Sequence, residues 1–268
     1  MKKTVLFALM LLAMVSCNTK QKQLKQAEQR VAAAQQMVEC GNLNAAKLQL
    51  DSVHILYPKQ VQVRRRAKAL MDSIVYIEAK RNLQYSDSLL QPLLPEVDKM
   101  LRKFYNEKNG EYEFYGRYVH KQLPTDRNFN RCFLQAYVNE DIRIAMKSYY
   151  CGPKAVNHES LTLTVGEEYQ TTNGKTHSFE TDGNHYEILN LEEQDAISAL
   201  KFIAAHEKDR IKVTLSGSGS NYVYYLNQTE KQALAETCQL ALAMLDVRQL
   251  EQQINIAQAQ IDKYENKH

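Results

Sequence analysis

Two hydrophobic periods divide this chain. Between Leu24 and Phe104 apolar residues return every three or four positions, the spacing of one helix face. Leu24, Ala27, Val31, Ala34 and Val38 mark a first helix, and Gly41 follows where a left-handed residue closes one. Leu43, Ala46, Leu50, Val53 and Tyr57 mark a second, stopped by Pro58. Val63, Ala67, Leu70, Ile74 and Ile77 form the stripe of a third, which continues through Leu83 and Leu90. Pro92 and Pro95 are expected to kink or break it. Pro95 suits the first turn of a further helix bearing Val97, Met100, Leu101 and Phe104, with Asn109-Gly110 closing the helical region.

The period then drops to two. Tyr112, Phe114, Gly116 and Tyr118 alternate with polar or charged neighbours, as do Ile142, Ile144 and Met146, and Leu161, Leu163 and Val165 with Thr162 and Thr164 between them. Asn173-Gly174 and Asp182-Gly183 are tight-turn signals, with strands expected at Thr176–Glu180 and His185–Leu189. Asn190 and Glu193 have the spacing of a capping box before a helix bearing Ile197, Leu200, Ile203 and Ala204. Ile211, Val213 and Leu215 should pair with Tyr222, Tyr224 and Leu226 across Gly217-Ser218-Gly219-Ser220. The helical period returns after Asn227 or Thr229, either of which can cap a long last helix carrying Leu234, Cys238, Ala241, Leu245, Leu250, Ile254, Ala257 and Ile261.

The fold class expected is therefore α+β. Helical arms, a hairpin and long helices, pack together and carry an inserted, mainly antiparallel sheet module with one helix on it. Residues 24–108 form the N-terminal helical region, 111–227 the sheet module, and 228–268 the long C-terminal helix packing on the N-terminal helices.

The first two helices resemble a single tetratricopeptide repeat. With Pro58 as the terminal proline, Gly41, Leu43, Ala46 and Leu50 fall on the family's glycine, aromatic-or-leucine, alanine and large apolar positions, and Ala34 on its small residue at the helix crossing. Arg30 departs from the family's tryptophan or leucine, and Val75 stands where the next repeat's glycine would be. A repeat array needs about three units to bury its faces, so the resemblance implies one tetratricopeptide-like hairpin and not the family's peptide groove.

Ahead of all this, Met1-Lys2-Lys3 precedes the apolar run Thr4–Val15, too short to span a bilayer comfortably and built like a secretory signal. Its end, Met14-Val15-Ser16-Cys17, resembles the lipobox of bacterial lipoproteins. The resemblance implies a signal peptide at 1–17, cleavage before Cys17, acylation of Cys17, and a tether at 18–23. Several acyl chains together anchor a protein firmly. Asn18 is not the aspartate that retains enteric lipoproteins at the inner membrane, and no acidic run follows, so the expected location is the cell envelope, at the periplasmic face of the outer membrane.

Composition adds limits. The formal charge of +3 falls to +1 once Lys2 and Lys3 are removed, a balance that gives no field for nucleic acid. Tryptophan is absent and tyrosine reaches 16, twelve of them between Tyr105 and Tyr225. Tyr149, Tyr150, Tyr222, Tyr224 and Tyr225 are the candidate binding surface, because tyrosine combines contact area with a polar tip. With Cys17 assigned to lipid, Cys40, Cys132, Cys151 and Cys238 allow three complete pairings, among which sequence does not choose. Cys132 and Cys151 are the pair expected to bridge, since both belong to the sheet module with 18 residues between them. A loop that short would contribute about 3 kcal/mol.

His177 and His185 flank the Asp182-Gly183 turn and His158 precedes the same group of strands; the three could converge on a metal if those strands are neighbours, but no metal-ligand spacing supports it, and no cofactor or metal is expected. Arg64-Arg65-Arg66 spreads around its helix and reads as a solvated surface. Ser216-Gly217-Ser218-Gly219-Ser220 joins two strands and lacks a lysine, so it is a hairpin turn and neither a phosphate loop nor a nucleophile elbow. The function expected is non-catalytic: a lipid-anchored envelope protein acting as an interaction or scaffolding module toward an envelope protein or polymer. A lipoprotein that binds a glycan or small molecule is the alternative, and an unrecognised hydrolase a third.

Overall fold

A computed structural model describes residues 2–108, 114–128, 130–191 and 193–267, with side chains from residue 20 onward except at position 125. Asn109-Gly110, Tyr112, Glu192 and His268 lie outside the described residues. In chain order the elements are α1 (Lys2–Glu39), α2 (Leu43–Leu56), α3 (Val61–Leu101), β1 (Phe104–Glu107), β2 (Arg117–His120), α4 (Thr125–Asn128), β3 (Phe133–Asn139), β4 (Ile144–Gly152), β5 (His158–Val165), β6 (Glu168–Thr181), β7 (Asn184–Leu191), α5 (Glu193–Ala205), β8 (Lys212–Gly217), β9 (Tyr222–Tyr225) and α6 (Gln228–Glu265). The fold is α+β, with six helices and a nine-stranded antiparallel sheet among the described residues. Among the described residues no helix is long and apolar enough to cross a membrane.

The chain divides into two compact units. One comprises residues up to Ser88 together with Glu251 onward, and the other Leu89–Leu250. In the first, Gly41 at φ +79° lets the chain reverse after α1, while its amide bonds Val38 O and that of Asn42 bonds Met37 O, the Schellman closure. The stripe of α2 (Leu43, Ala46, Leu50, Val53) is buried with Ala27 and Ala34 of α1 and with Val63, Ala67 and Ile74 of α3. Arg30, the departure from the repeat pattern, donates to Gln49 Oε1 at 2.8 Å. The α3 stripe thus packs on the hairpin, which stands closest in the chain. The C-terminal helix takes the adjoining face instead, burying Ala257 and Ile261 on Ala79, Tyr76 and Leu83, with Tyr264 stacked on Tyr76 at 4.4 Å.

In the second unit α3 continues through Pro92 and Pro95 as one helix, so the prolines neither break it nor start a further helix. Each proline forfeits an amide bond, and the buried faces around it, Leu90 on one side and Val97 packed on Leu240 and Ala243 of α6 on the other, offset the loss. The helix stops at Leu101. Phe104 belongs to the edge strand β1, not to a helix reaching residue 108, because its ring packs against Val97 and Leu240 while its backbone pairs with His120.

The strand order is β1-β2-β3-β4-β7-β6-β5-β8-β9. β6 is long and shared: Glu168–Asn173 pairs with β5, and Gly174–Thr181 with β7. Asn173-Gly174 is therefore the crossover point inside one strand and not a turn. A Cβ on Gly174 would stand 2.2 Å from Asn190 O, which explains the glycine. Asp182-Gly183 is the expected tight turn, with φ +51° and +77°. Asn190 lies in β7 and makes no cap bond to α5 among the described residues; a capping box begins α6 instead, where Asn227 Oδ1 accepts from Glu230 N and Glu230 Oε2 accepts from Asn227 N, each at 2.9 Å. The inner face of the sheet, with Leu161, Leu163, Leu189, Val213 and Leu215, is covered by α5 through Ala196, Ala199, Leu200 and Ile203 and by Leu234 and Cys238 of α6.

Candidate functional site

The five candidate tyrosines do not form one surface. Tyr149 and Tyr150 are adjacent in β4 and turn to opposite faces, both buried. Tyr149 lies flat on Phe133 at 4.5 Å, and Tyr150 donates from its hydroxyl to Lys154 O at 2.6 Å. Tyr224 is half-buried, with its hydroxyl in the interior among the described groups; burial and the nearby Glu230 carboxylate push its phenol well above the ordinary range. Tyr222 and Tyr225 reach the surface, on opposite faces of β9. Alternate tyrosines in the strands fill the core, and only Tyr222 and Tyr225 remain from the expected patch.

The disulfide is also corrected. Cys132 and Cys151 are free thiols. The Cys132 Sγ donates to the backbone carbonyl of Cys151 at 3.5 Å and packs beside the inner core, whereas Cys151 stands opposite Tyr186 on the strand positions that face away from it. Cys132 stands just before β3 and turns toward the inner core, while Cys151 on β4 faces away from it, so the two Cβ vectors do not meet. Burial raises the Cys132 thiol above its ordinary range. The side chain of Cys17 is not among those described.

The outer face of β2, β3 and β4 carries what the sequence did not reveal. Phe114, Tyr115, Arg117, Tyr137, Asn139 and Lys147 line an open groove of about 740 Å³. Register builds it: Arg117 pairs with Asn139, Val119 with Tyr137, and Gln135 with Lys147, so alternate residues of three strands share this side. The Arg117 guanidinium and the Lys147 ammonium sit 5.4 and 5.7 Å from the centre of the Tyr137 ring. The Phe114 ring is 93% exposed and Tyr115 54%. Asn139 Oδ1 is buried with no partner among the described residues. The period-two alternation from Phe114 to Tyr118 points to a strand over the whole run, but β2 begins only at Arg117 and Phe114 and Tyr115 precede it; the cations on either side of Tyr137 come from residues far apart in sequence.

A second polar cluster lies inside. Glu187 accepts from the backbone amides of Val156, Asn157 and His158 at 2.7–2.9 Å and pairs with His158 Nδ1 at 2.7 Å, with both side chains almost wholly buried. Burial pushes this carboxyl up, but the side-chain bond from His158 and the three backbone amides outweigh it and hold it below the ordinary carboxylate range. Its geometry is that of a pin holding the 156–158 turn, in which Asn157 adopts φ +50°. The glycine loop docks on the same turn: Gly219 N bonds Val156 O at 2.9 Å, and a Cβ on Gly217 would collide with Asn157 O. His177 is exposed on β6 and His185 lies 4.0 Å from Glu180, so His158 does not join them. Among the described residues no group of three or more histidines, cysteines and acids could hold a metal ion.

Comparison of the chain with known protein families, with characterised proteins and with solved structures finds no match.

Proposed function

We propose that this protein is a lipid-anchored component of the bacterial cell envelope whose sheet module holds a partner, an envelope protein or polymer, without performing chemistry on it. The anchor is Cys17, on the strength of Met14-Val15-Ser16-Cys17, and the location is the periplasmic face of the outer membrane. The observation that carries the reading is the groove of the outer sheet face. Aromatic rings and arginine, here Phe114, Tyr115, Tyr137 and Arg117, are the side chains that anchor interfaces, and Phe114 offers nearly its whole ring to solvent.

Two measurements test it. Cys17→Ala should release the protein from the membrane fraction and abolish labelling by radioactive palmitate; retention of both overturns the anchor. A photo-crosslinking residue at Asn139 should join the protein to one species in intact cells, and the same residue at the exposed Tyr85 should not. Phe114→Ala combined with Tyr115→Ala should lower that yield about tenfold, the loss expected when interface anchors are removed. Equal yields with and without the two rings would overturn the groove as the holding surface.

A further inference from the structure

A different face of the sheet has a chemistry of its own. In the half built from β6, β5, β8 and β9, alternate residues are buried: Leu161, Leu163, Val213 and Leu215. The intervening residues point outward, and register aligns them in rows across the strands. One row is Thr171–Thr162–Thr214–Val223, and the next is Tyr169–Thr164–Lys212–Tyr225. Ser160 and Ser216 continue the pattern as a further pair. All of these residues are exposed or half-buried.

Strand spacing turns the rows into a grid. Neighbours across strands lie about 4.8 Å apart, and same-face neighbours along a strand about 6.7 Å apart. Tyr169, 72% exposed, and Tyr225, 46% exposed, therefore stand three strand steps apart, about 14 Å. The Arg210 guanidinium lies 3.9 Å from the Tyr225 ring centre and steadies that ring against the surface. Between the two tyrosines are hydroxyls that both donate and accept, as the Thr162–Thr171 contact at 2.9 Å illustrates.

This composition selects among ligands. Protein interfaces enrich aromatic, methionine and arginine side chains at their centre and deplete serine and lysine, whereas the centre of this face is threonine and serine. A polyanion would need more than the Lys212 ammonium at one end of the face and the Arg210 guanidinium already stacked on Tyr225, and a polycation would need carboxylates that these rows lack. What matches is an uncharged chain that presents hydroxyls for hydrogen bonding and flat C–H faces for the rings.

We propose that the outer face of β6-β5-β8-β9 is a platform for an uncharged polysaccharide, which crosses the strands with sugar faces on Tyr169 and Tyr225 and hydroxyls over the threonine row. The site is separate from the Phe114–Tyr115 groove and does not rest on it.

The test uses the full chain with cellotetraose and the N-acetylglucosamine tetramer as uncharged probes and oligogalacturonate as the acidic comparison. The chain has no tryptophan, so tyrosine emission reports binding directly, with calorimetry as the second readout. At least one uncharged tetramer should bind. Tyr169→Ala and Tyr225→Ala should each weaken it about tenfold, and Thr162→Val with Thr214→Val about threefold to tenfold, the range for lost hydrogen bonds. Valine keeps strand propensity, and an unchanged melting curve verifies the fold. Phe114→Ala with Tyr115→Ala should leave the affinity intact.

The proposal is overturned if neither uncharged tetramer binds, if binding survives loss of both platform tyrosines, or if oligogalacturonate binds more tightly. If the groove pair abolishes sugar binding and the platform variants do not, the platform fails while the holding role of the groove stands.

Discussion

The hairpin unit and the sheet module are held together by different means. In the hairpin the interior is a set of aliphatic contacts, Ala27, Ala34, Ala46, Leu50, Val53, Ala67 and Ile74, and its named polar bonds, such as Lys47 to Glu78 and Arg30 to Gln49, lie at the rim. In the sheet module the interior also contains ionisable groups. Glu187 holds the 156–158 turn, Glu230 caps α6 and pairs with Arg131, and the Glu236 carboxylate bonds His120 at 2.9 Å and Lys103 at 2.8 Å. Aliphatic contacts are many, weak and exchangeable. A buried carboxylate satisfied from four directions is not exchangeable, because removing its charge or its partners leaves polar groups unpaired in a low-dielectric interior.

The largest effect should therefore come from a near-isosteric change. Glu187→Gln keeps the volume but removes the charge, and a broken buried pair costs about 3–5 kcal/mol. The variant should unfold at markedly lower urea, and the amides of Val156, Asn157 and His158 should lose protection from hydrogen exchange. If it unfolds within error of the parent, the pin carries nothing and the contrast between the two units fails.

Leu50→Ala probes the other side. Leu50 is fully buried between α1, α2 and α3, and such truncations cost about 2–5 kcal/mol, depending on how far the site collapses. The small alanines around it favour collapse, so the lower half of that range is expected, about 2–3 kcal/mol. A loss at the top of the range in urea unfolding would mean that this interior is as unforgiving as the sheet module's.

Acid sharpens the comparison, because the ionisable groups belong to one side of it. His120 is lowered by burial, against the opposing bond to Glu236, so the unfolded chain binds its proton more readily. Its share of stability is complete above about pH 6.5, the ordinary histidine value, and is lost as pH falls below it toward the lower folded value. Glu187 and Glu236 are both held below the ordinary range: burial raises them, and the hydrogen bonds outweigh it. Their share is present above about pH 4.3 and is lost as pH falls further, through their folded values. Urea melts should weaken in two steps on acidification. Glu187→Gln should flatten the carboxylate step and leave the histidine step, and a variant that keeps both steps unchanged would overturn the assignment.

The same contrast decides what the sequence made legible. Stripes of period 3.6 located α1, α2, the body of α3 and α6, and alternation located β4, β5, β8 and β9, because each is a local pattern. The crossover at Gly174 read as a turn because Asn-Gly is a turn signal, whereas the glycine answers to Asn190 O on another strand. Phe104 carried a helical spacing but was captured by pairing with His120. Tyr149 and Tyr150 differ in nothing local from an exposed pair; their burial depends on Phe133 and on the Lys154 carbonyl. Both candidate surfaces are register products, with Arg117, Tyr137 and Lys147 on one and Tyr169 and Tyr225 on the other, and register is long-range information.

The smallest effect separates a family pattern from the physics beneath it. Arg30 occupies the place where a tetratricopeptide repeat has a large apolar residue, and it holds Gln49 across the hairpin. Arg30→Leu gives up one charged hydrogen bond, worth about 1.5–3 kcal/mol at most, and leaves the Gln49 amide free to turn to solvent at a half-buried rim. It gains aliphatic burial of about 1.5–3 kcal/mol when complete, and less at a site that stays partly open. The two terms cancel to within about 1 kcal/mol, so the urea midpoint should hardly move. A gain well above that would show that the hairpin is strained by its departure from the repeat pattern. A loss above it would show that the Arg30–Gln49 bond is as specific as the Glu187 pin, and that the division between exchangeable helices and pinned sheet is drawn in the wrong place.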